Sequence, residues 1–206
     1  MAITYPLALP TVGLFVRFSL TTQSANAESV SPFTFERQIQ THQGMLWLAG
    51  ITLAPMKRAS AEEWRSFFLK LNGKQGTFLM GDLGAKFPRG IAAGTPLVDG
   101  AGQTGQELDT KGWTTEITGI LKAGDYIQIG TGLTSRLYKN LNDVNSDSGG
   151  LATLDIWPRL RESPANSAVI VVSEPKGLFR LSSNLNLSEV GISAFYGFGF
   201  SAIEAL

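Results

Sequence analysis

At 206 residues the chain is long enough for one large β domain or two small ones. Lys plus Arg and Asp plus Glu both number 17, so the formal net charge is zero and no basic footprint points to nucleic acid or anionic lipid. The absence of cysteine excludes a disulfide framework, a thiolate nucleophile and a Cys-type zinc site, and is compatible with folding in a reducing cytoplasm.

Hydrophobic residues make up 43%, enough for a core, while charged residues make up only 17%. Glycine, serine, threonine and asparagine take their place, which suits strands and turns better than long exposed helices. It also suits a subunit whose surface is partly covered by neighbours. Near the start, Ala25-Asn26-Ala27 resembles a small-residue cleavage site and Tyr5–Val16 is mostly apolar. No Lys or Arg precedes that run, and Pro6, Pro10 and Arg17 interrupt or follow it, unlike a signal peptide. Ala2–Leu20 is therefore expected to be folded structure. Leu14, Val16, Phe18 and Leu20 alternate with Phe15, Arg17 and Ser19 in a strand pattern. No segment has the apolar length of a membrane-spanning helix.

After a polar stretch at Thr21–Ser31, apolar-rich segments at Phe33–Ile39 and Met45–Leu53 read as two strands, with His42-Gln43-Gly44 as the hairpin loop between them. Trp47, Ala49 and Ile51 share one face of the second. One helix is expected at about Ser60–Asn72. Ser60 and Glu63 have the spacing of a capping box, Trp64, Phe67, Phe68 and Leu71 form one apolar stripe, and Asn72-Gly73 ends it. Thr77–Met80 reads as a buried strand turning at Gly81-Asp82. From Leu83 to Gly112 periodicity is weak and five glycines fall between Gly90 and Gly105, so a long connection is expected. Strands then recur at Thr114–Leu121, Asp125–Ile129, Leu137–Leu141, Ala152–Trp157, Ala168–Val172 and Gly177–Leu181. Turn signals lie at Lys122–Gly124, Asp143–Gly150 and Arg161–Asn166. The last stretch places Val190, Ile192, Ala194, Tyr196, Phe198 and Phe200 on one face, a strand that needs cover.

The expected fold class is mainly β: a β domain with one helix in residues 1–82, completed by a C-terminal strand in 183–206. A Gly-rich connection, 83–112, leads to a second small sandwich or barrel-like domain at 113–182.

Several motifs suggest chemistry. Gly100-Ala101-Gly102-Gln103-Thr104-Gly105 matches G-x-G-x-x-G, but a dinucleotide site requires a preceding strand and a following helix, and no helical stripe follows. Asp143-Val144-Asn145-Ser146-Asp147 opens like a calcium loop. Ser148 and Leu154 occupy the positions that need Gly and Glu, so a hairpin tip is favoured over a weak calcium site. His42, the single histidine, has no G-x-S-x-G partner motif nearby. Glu62 and Glu63 are accounted for by the helix start, although paired acids for glycoside hydrolysis are a matter of spatial separation. Trp64, Trp113 and Trp157 could stack on a sugar, Trp64 being assigned to the core by the helix stripe. Lys57-Arg58 is a two-residue basic patch: a solvated surface feature or half of an intersubunit ion pair. No catalytic, cofactor or metal residue is assigned.

The run Ser31-Pro32-Phe33-Thr34-Phe35-Glu36, with His42-Gln43-Gly44 and Leu53-Ala54-Pro55-Met56-Lys57-Arg58-Ala59, resembles the distal tail and related tail-tip proteins of long-tailed bacteriophages (siphophages). Glu62-Glu63-Trp64, Leu69-Lys70-Leu71-Asn72-Gly73 and Gly76-Thr77-Phe78-Leu79-Met80-Gly81-Asp82 carry the same likeness. So do Gly124-Asp125-Tyr126-Ile127-Gln128-Ile129-Gly130, Ile156-Trp157-Pro158 and Leu178-Phe179-Arg180-Leu181. The resemblance implies a helix-bearing β-sandwich "belt" domain and a second β domain in a non-enzymatic virion subunit. Six copies would form a ring at the tail end. Its expected partners are further copies of itself, the tail tube protein, hub and fibre proteins, and the tape-measure protein. Head-to-tail closure needs two different patches on each subunit, expected at the sheet edge near Ala2–Leu20 and the exposed part of Val190–Ala202. The contact residues themselves are not readable. A carbohydrate-binding module of a host-recognition apparatus and a cell-wall hydrolase are the alternatives from other functional classes.

Overall fold

The computed structural model describes residues 3–184, 187–190 and 195–206. In chain order the strands are β1 (Leu7–Ala8), β2 (Phe15–Val30), β3 (Arg37–Leu53), β4 (Thr77–Met80), β5 (Gly94–Val98), β6 (Glu107–Trp113), β7 (Tyr126–Ile129), β8 (Arg136–Asn140), β9 (Ala152–Trp157), β10 (Ile170–Val171), β11 (Gly177–Leu181), β12 (Leu187–Val190) and β13 (Tyr196–Glu204). A helix, α1 (Arg58–Leu71), lies between β3 and β4, and a single 3-10 turn covers Gly132–Thr134. The protein is mainly β, with two sheets.

The first sheet has the order β1-β4-β11-β13-β3-β2, with β12 also paired to β13. It therefore joins strands from both ends of the chain. Helix α1 covers one face with the expected stripe: Ala61, Trp64, Phe67, Phe68 and Leu71 are all buried. Trp64 lies 5.9 Å from Phe200 between ring centroids, and Phe68 lies 5.1 Å from the same ring. Burying each large side chain of the stripe contributes on the order of 2 kcal/mol.

The helix ends as expected, on Asn72 in the left-handed conformation at φ 49°. Its start differs. The N-cap is Lys57, extended and without a side-chain cap, so α1 begins at Arg58 and Ser60 lies inside its first turn instead of forming a capping box with Glu63. The aromatic stripe, packed on the sheet, sets the helix without help from a cap.

The second sheet has the order β10-β7-β8-β9-β6-β5. Its two ends meet: Leu97 bridges Val169, and Val98 and Ala168 are joined by a 2.9 Å backbone hydrogen bond. The sheet closes into a small barrel around Val98, Leu108, Ile127, Leu154 and Ile156.

Several sequence expectations need correction. The segment 83–112, read as a connection of little order, carries β5 and β6, both in the barrel. The strand expected at Thr114–Leu121 is a series of turns. Glu116 and Gly119 have positive φ there (55° and 73°), and side chains of Asn145 and Ser146 bind the backbone N–H groups of Gly119 and Ile117. Strand β11, within 113–182, belongs to the first sheet, and β13 is interior to that sheet, between β3 and β11. Val190–Ala202 is thus not an open edge along β13. Ala2, Ile192 and Ala194 lie outside the described residues.

The largest correction concerns the hairpin. Strand β3 runs through His42-Gln43-Gly44 to Arg37, and β2 through the polar stretch to Val30. The turn is Ser31–Glu36, where the Glu36 carbonyl accepts from the Ser31 N–H and the Ser31 carbonyl from the Phe35 N–H. His42-Gln43-Gly44 marks a β-bulge: Ser24 pairs with Met45, then Asn26 with Thr41. Residues that suit a turn also suit the irregular backbone of a bulge.

Candidate functional site

The distal part of the β2–β3 hairpin projects from the body as an arm. Every residue from Thr21 to Gly44 except Ser31 is exposed. At 3.3 Å per residue, ten residues reach about 33 Å. Both faces of the ribbon are polar, with Gln23, Asn26, Gln38, Gln40 and Thr41 among them, and an Arg37–Glu28 ion pair of 2.7 Å ties the strands near the tip. The tip carries Phe33 and Phe35, 91% and 78% exposed, and Phe35 sits at φ 57°. The Ser31 hydroxyl accepts from the Phe33 and Thr34 N–H groups, so Ser31-Pro32 is a turn-initiating pair. That pair was the one signal from which the tip could have been read.

The base of the arm is anchored where the two sheets meet. Trp47 donates its indole N–H to the Leu137 carbonyl at 3.0 Å and packs edge-on against Trp157 at 4.5 Å. Its backbone N–H donates to Glu204 at 3.2 Å. Glu204 also accepts from Arg161 at 2.5 Å, and both charged groups are buried. Sequence reading missed this pair because Arg161, in the loop after β9, and Glu204, at the end of β13, are far apart in the chain.

The other sequence candidates are absorbed into packing. Gly100–Gly105 forms the β5–β6 turn, where Gln103 bonds both Asp99 and Asp109, and a strand follows in place of a helix. In Asp143–Asp147 the side-chain oxygens accept hydrogen bonds from the chain itself. Asp143 accepts from the Ala123 N–H and the Lys122 ammonium, which hold its carboxyl below the usual carboxylate range. Asp147 accepts from the N–H groups of Gly149 and Leu151, both at 2.8 Å. The loop is a hydrogen-bonded turn, and no group of three or more metal-binding side chains occurs among the described residues.

His42 is exposed on the arm. Glu62 pairs with Arg65 at 3.2 Å and with Arg58 at 3.6 Å, so Arg58 of the basic patch is engaged within its own helix, while Lys57 stays exposed. Glu63 is exposed beside them on the helix. Trp64 and Trp113 are buried, donating to the Val12 carbonyl and the Thr110 hydroxyl, and Trp157 is half-buried against Trp47. The three tryptophans form no common platform. Burial raises the phenol pKa values of Tyr126 and Tyr138, and the negative charge of Asp82 adds to the effect at Tyr126.

Asp125, 3% exposed, accepts from the N–H groups of Arg89, Gly90 and Lys122, fastening the chain after β4 to the barrel. Gly90 is required there, since a Cβ would stand 2.4 Å from the Ile120 carbonyl oxygen. No helix among the described residues is long and apolar enough to cross a membrane. No protein-family model matches this chain, and no curated protein sequence matches it.

Proposed function

We propose that this chain is a non-enzymatic structural subunit of the tail tip of a long-tailed bacteriophage, a ring that joins the tail tube to hub and fibre proteins. The observation that carries the reading is the projecting β2–β3 arm, whose two strands pair with each other while their side chains stay exposed. An isolated two-stranded ribbon is marginal in water. Such an arm fits a protein that completes itself by assembly. The sequence resemblance across Ser31–Gly90 and the later β segments points to the same role. Further support comes from the polar groups that sequence reading singled out in the Gly100–Gly105 and Asp143–Asp147 segments, whose hydrogen bonds hold turns of the chain itself.

The proposed partners are other copies of the chain, the tail tube protein, the hub and fibre proteins and the tape-measure protein, and the proposed location is the tail tip of the virion. Co-expression with the tube protein of the same phage tests this. A ring by negative-stain microscopy, with the tube protein bound, is the expected result. A strictly monomeric species even with the tube protein present would overturn it.

A further inference from the structure

We propose that the arm tip of one copy seats in the groove between β1 and α1 of a second copy, making a head-to-tail contact. The two surfaces are both open on the same folded chain. The tip offers the exposed rings of Phe33 and Phe35. The groove, of about 560 Å³, is lined by Leu7, Pro10, Ala59 and Phe67 and rimmed by Glu63 and Lys70. Since neither fills the other within one chain, another copy has to bring them together. A knob and a recess at different places on one molecule generate a heterologous contact, which closes into a ring or runs on as a filament.

One ion pair is open to this occupant on a rim that also carries Glu62 and Glu63. Glu36 beside the tip and Lys70 on the rim are both exposed and have no ion-pair partner among the described residues. They are of opposite sign, so the pair can form across the contact. One face of a ribbon about 33 Å long and roughly 10 Å wide offers roughly 330 Å². The two tip rings add to that, toward the roughly 800 Å² per partner of a stable interface. No lysine or proline lies within β2 or β3, and the edge of the arm is interrupted only by its bulge and the Arg37–Glu28 pair. A membrane is a poorer occupant, because Glu28 and Glu36 outnumber the single Arg37 on the arm.

The contact names the partner of the ring subunit proposed above, and rests on that reading only for the closure of the ring. The absence of cysteine allows a clean test. Phe35→Cys and Ala59→Cys chains, carrying different tags, are co-expressed and oxidised. The expected product is a disulfide dimer containing both tags, absent when either variant is expressed alone. In parallel, Phe33→Ser with Phe35→Ser should raise the concentration at which oligomers dissociate by about tenfold or more, as loss of a central aromatic contact does. Measured at dilutions where both proteins are monomeric, its thermal midpoint should be unchanged, because both residues are exposed in the single chain. Oligomers that form no mixed disulfide and ignore the double substitution would overturn the contact while leaving a ring subunit standing. An intrachain disulfide in the doubly substituted chain would overturn it too, as would monomers at all concentrations, or binding of the tip to phosphatidylglycerol vesicles without self-association. A mixed disulfide in a chain that never binds the tube protein would keep the contact and remove the tail-tip role.

Discussion

Arg161 and Glu204 meet at 2.5 Å across the junction of the two sheets, with side chains only 9% and 3% exposed. Glu204 has a second obligation, the Trp47 backbone N–H. Removing one member leaves a buried charge and, for Glu204, an unsatisfied amide. We expect Arg161→Met and Glu204→Ala each to cost about 3–5 kcal/mol in urea unfolding. Arg161→Met with Glu204→Leu should cost less than the sum of its parts, since two buried charges leave together. Strict additivity would show that the pair does not act as a unit.

Alkaline pH should loosen the same junction. Tyr126 and Tyr138 are held protonated by burial, so their phenols ionise at higher pH in the folded chain than the usual value of about 10 reached when unfolded. Below that pH both states keep the protons and stability does not change on this account. Above it the unfolded chain releases protons that the folded chain retains, and stability falls as pH rises toward the folded values. The urea midpoint should therefore be flat through neutral pH and drop above about pH 10. Tyr126→Phe should make that drop shallower.

The start of α1 offers a simple gain. Lys57 has the extended conformation of an N-cap, φ −69° and ψ 158°, but no side-chain acceptor. Lys57→Asp supplies one and should stabilise the fold by about 1 kcal/mol. Ser60→Ala should be within about 0.5 kcal/mol of the parent, because Ser60 is a first-turn residue and not the cap. A large loss at Ser60 would restore the capping box suggested by sequence.

The Asp143–Asp147 turn should ignore calcium. Its carboxylates are committed to backbone amides and Lys122, so millimolar calcium should leave the thermal midpoint unchanged. Asp147→Ala, in contrast, frees the amides of Gly149 and Leu151 and should cost about 1–2 kcal/mol, read by urea titration. A calcium-dependent rise in the midpoint, abolished by Asp143→Asn, would reverse this view of the loop.

Sequence periodicity was informative where burial is one-sided and regular. The α1 stripe is as expected because Trp64, Phe67, Phe68 and Leu71 must face the sheet, and β9 and β11 match the expected Ala152–Trp157 and Gly177–Leu181. The arm was illegible for the opposite reason. Its strands bury nothing within the chain, so polar residues such as Asn26 and Gln40 leave no inside–outside alternation, and the apolar tip imitated a strand. Turn-type residues at the bulge then drew the hairpin loop to the wrong place. Asp125 and the Arg161–Glu204 pair are tertiary arrangements that no local spacing encodes.

The order β1-β4-β11-β13-β3-β2 has a consequence for how the chain is made. Synthesis delivers β2 and β3 early, yet β13, the strand that holds β3 in its sheet, follows every other strand. The barrel strands β5 to β10 form one continuous stretch, Gly94–Val171, and can close while the ribosome is still working. A nascent chain that has not yet made β13 therefore has a finished barrel but an unanchored arm. The arm is thus anchored in its sheet only after β13 has been made, later than the barrel needs in order to close.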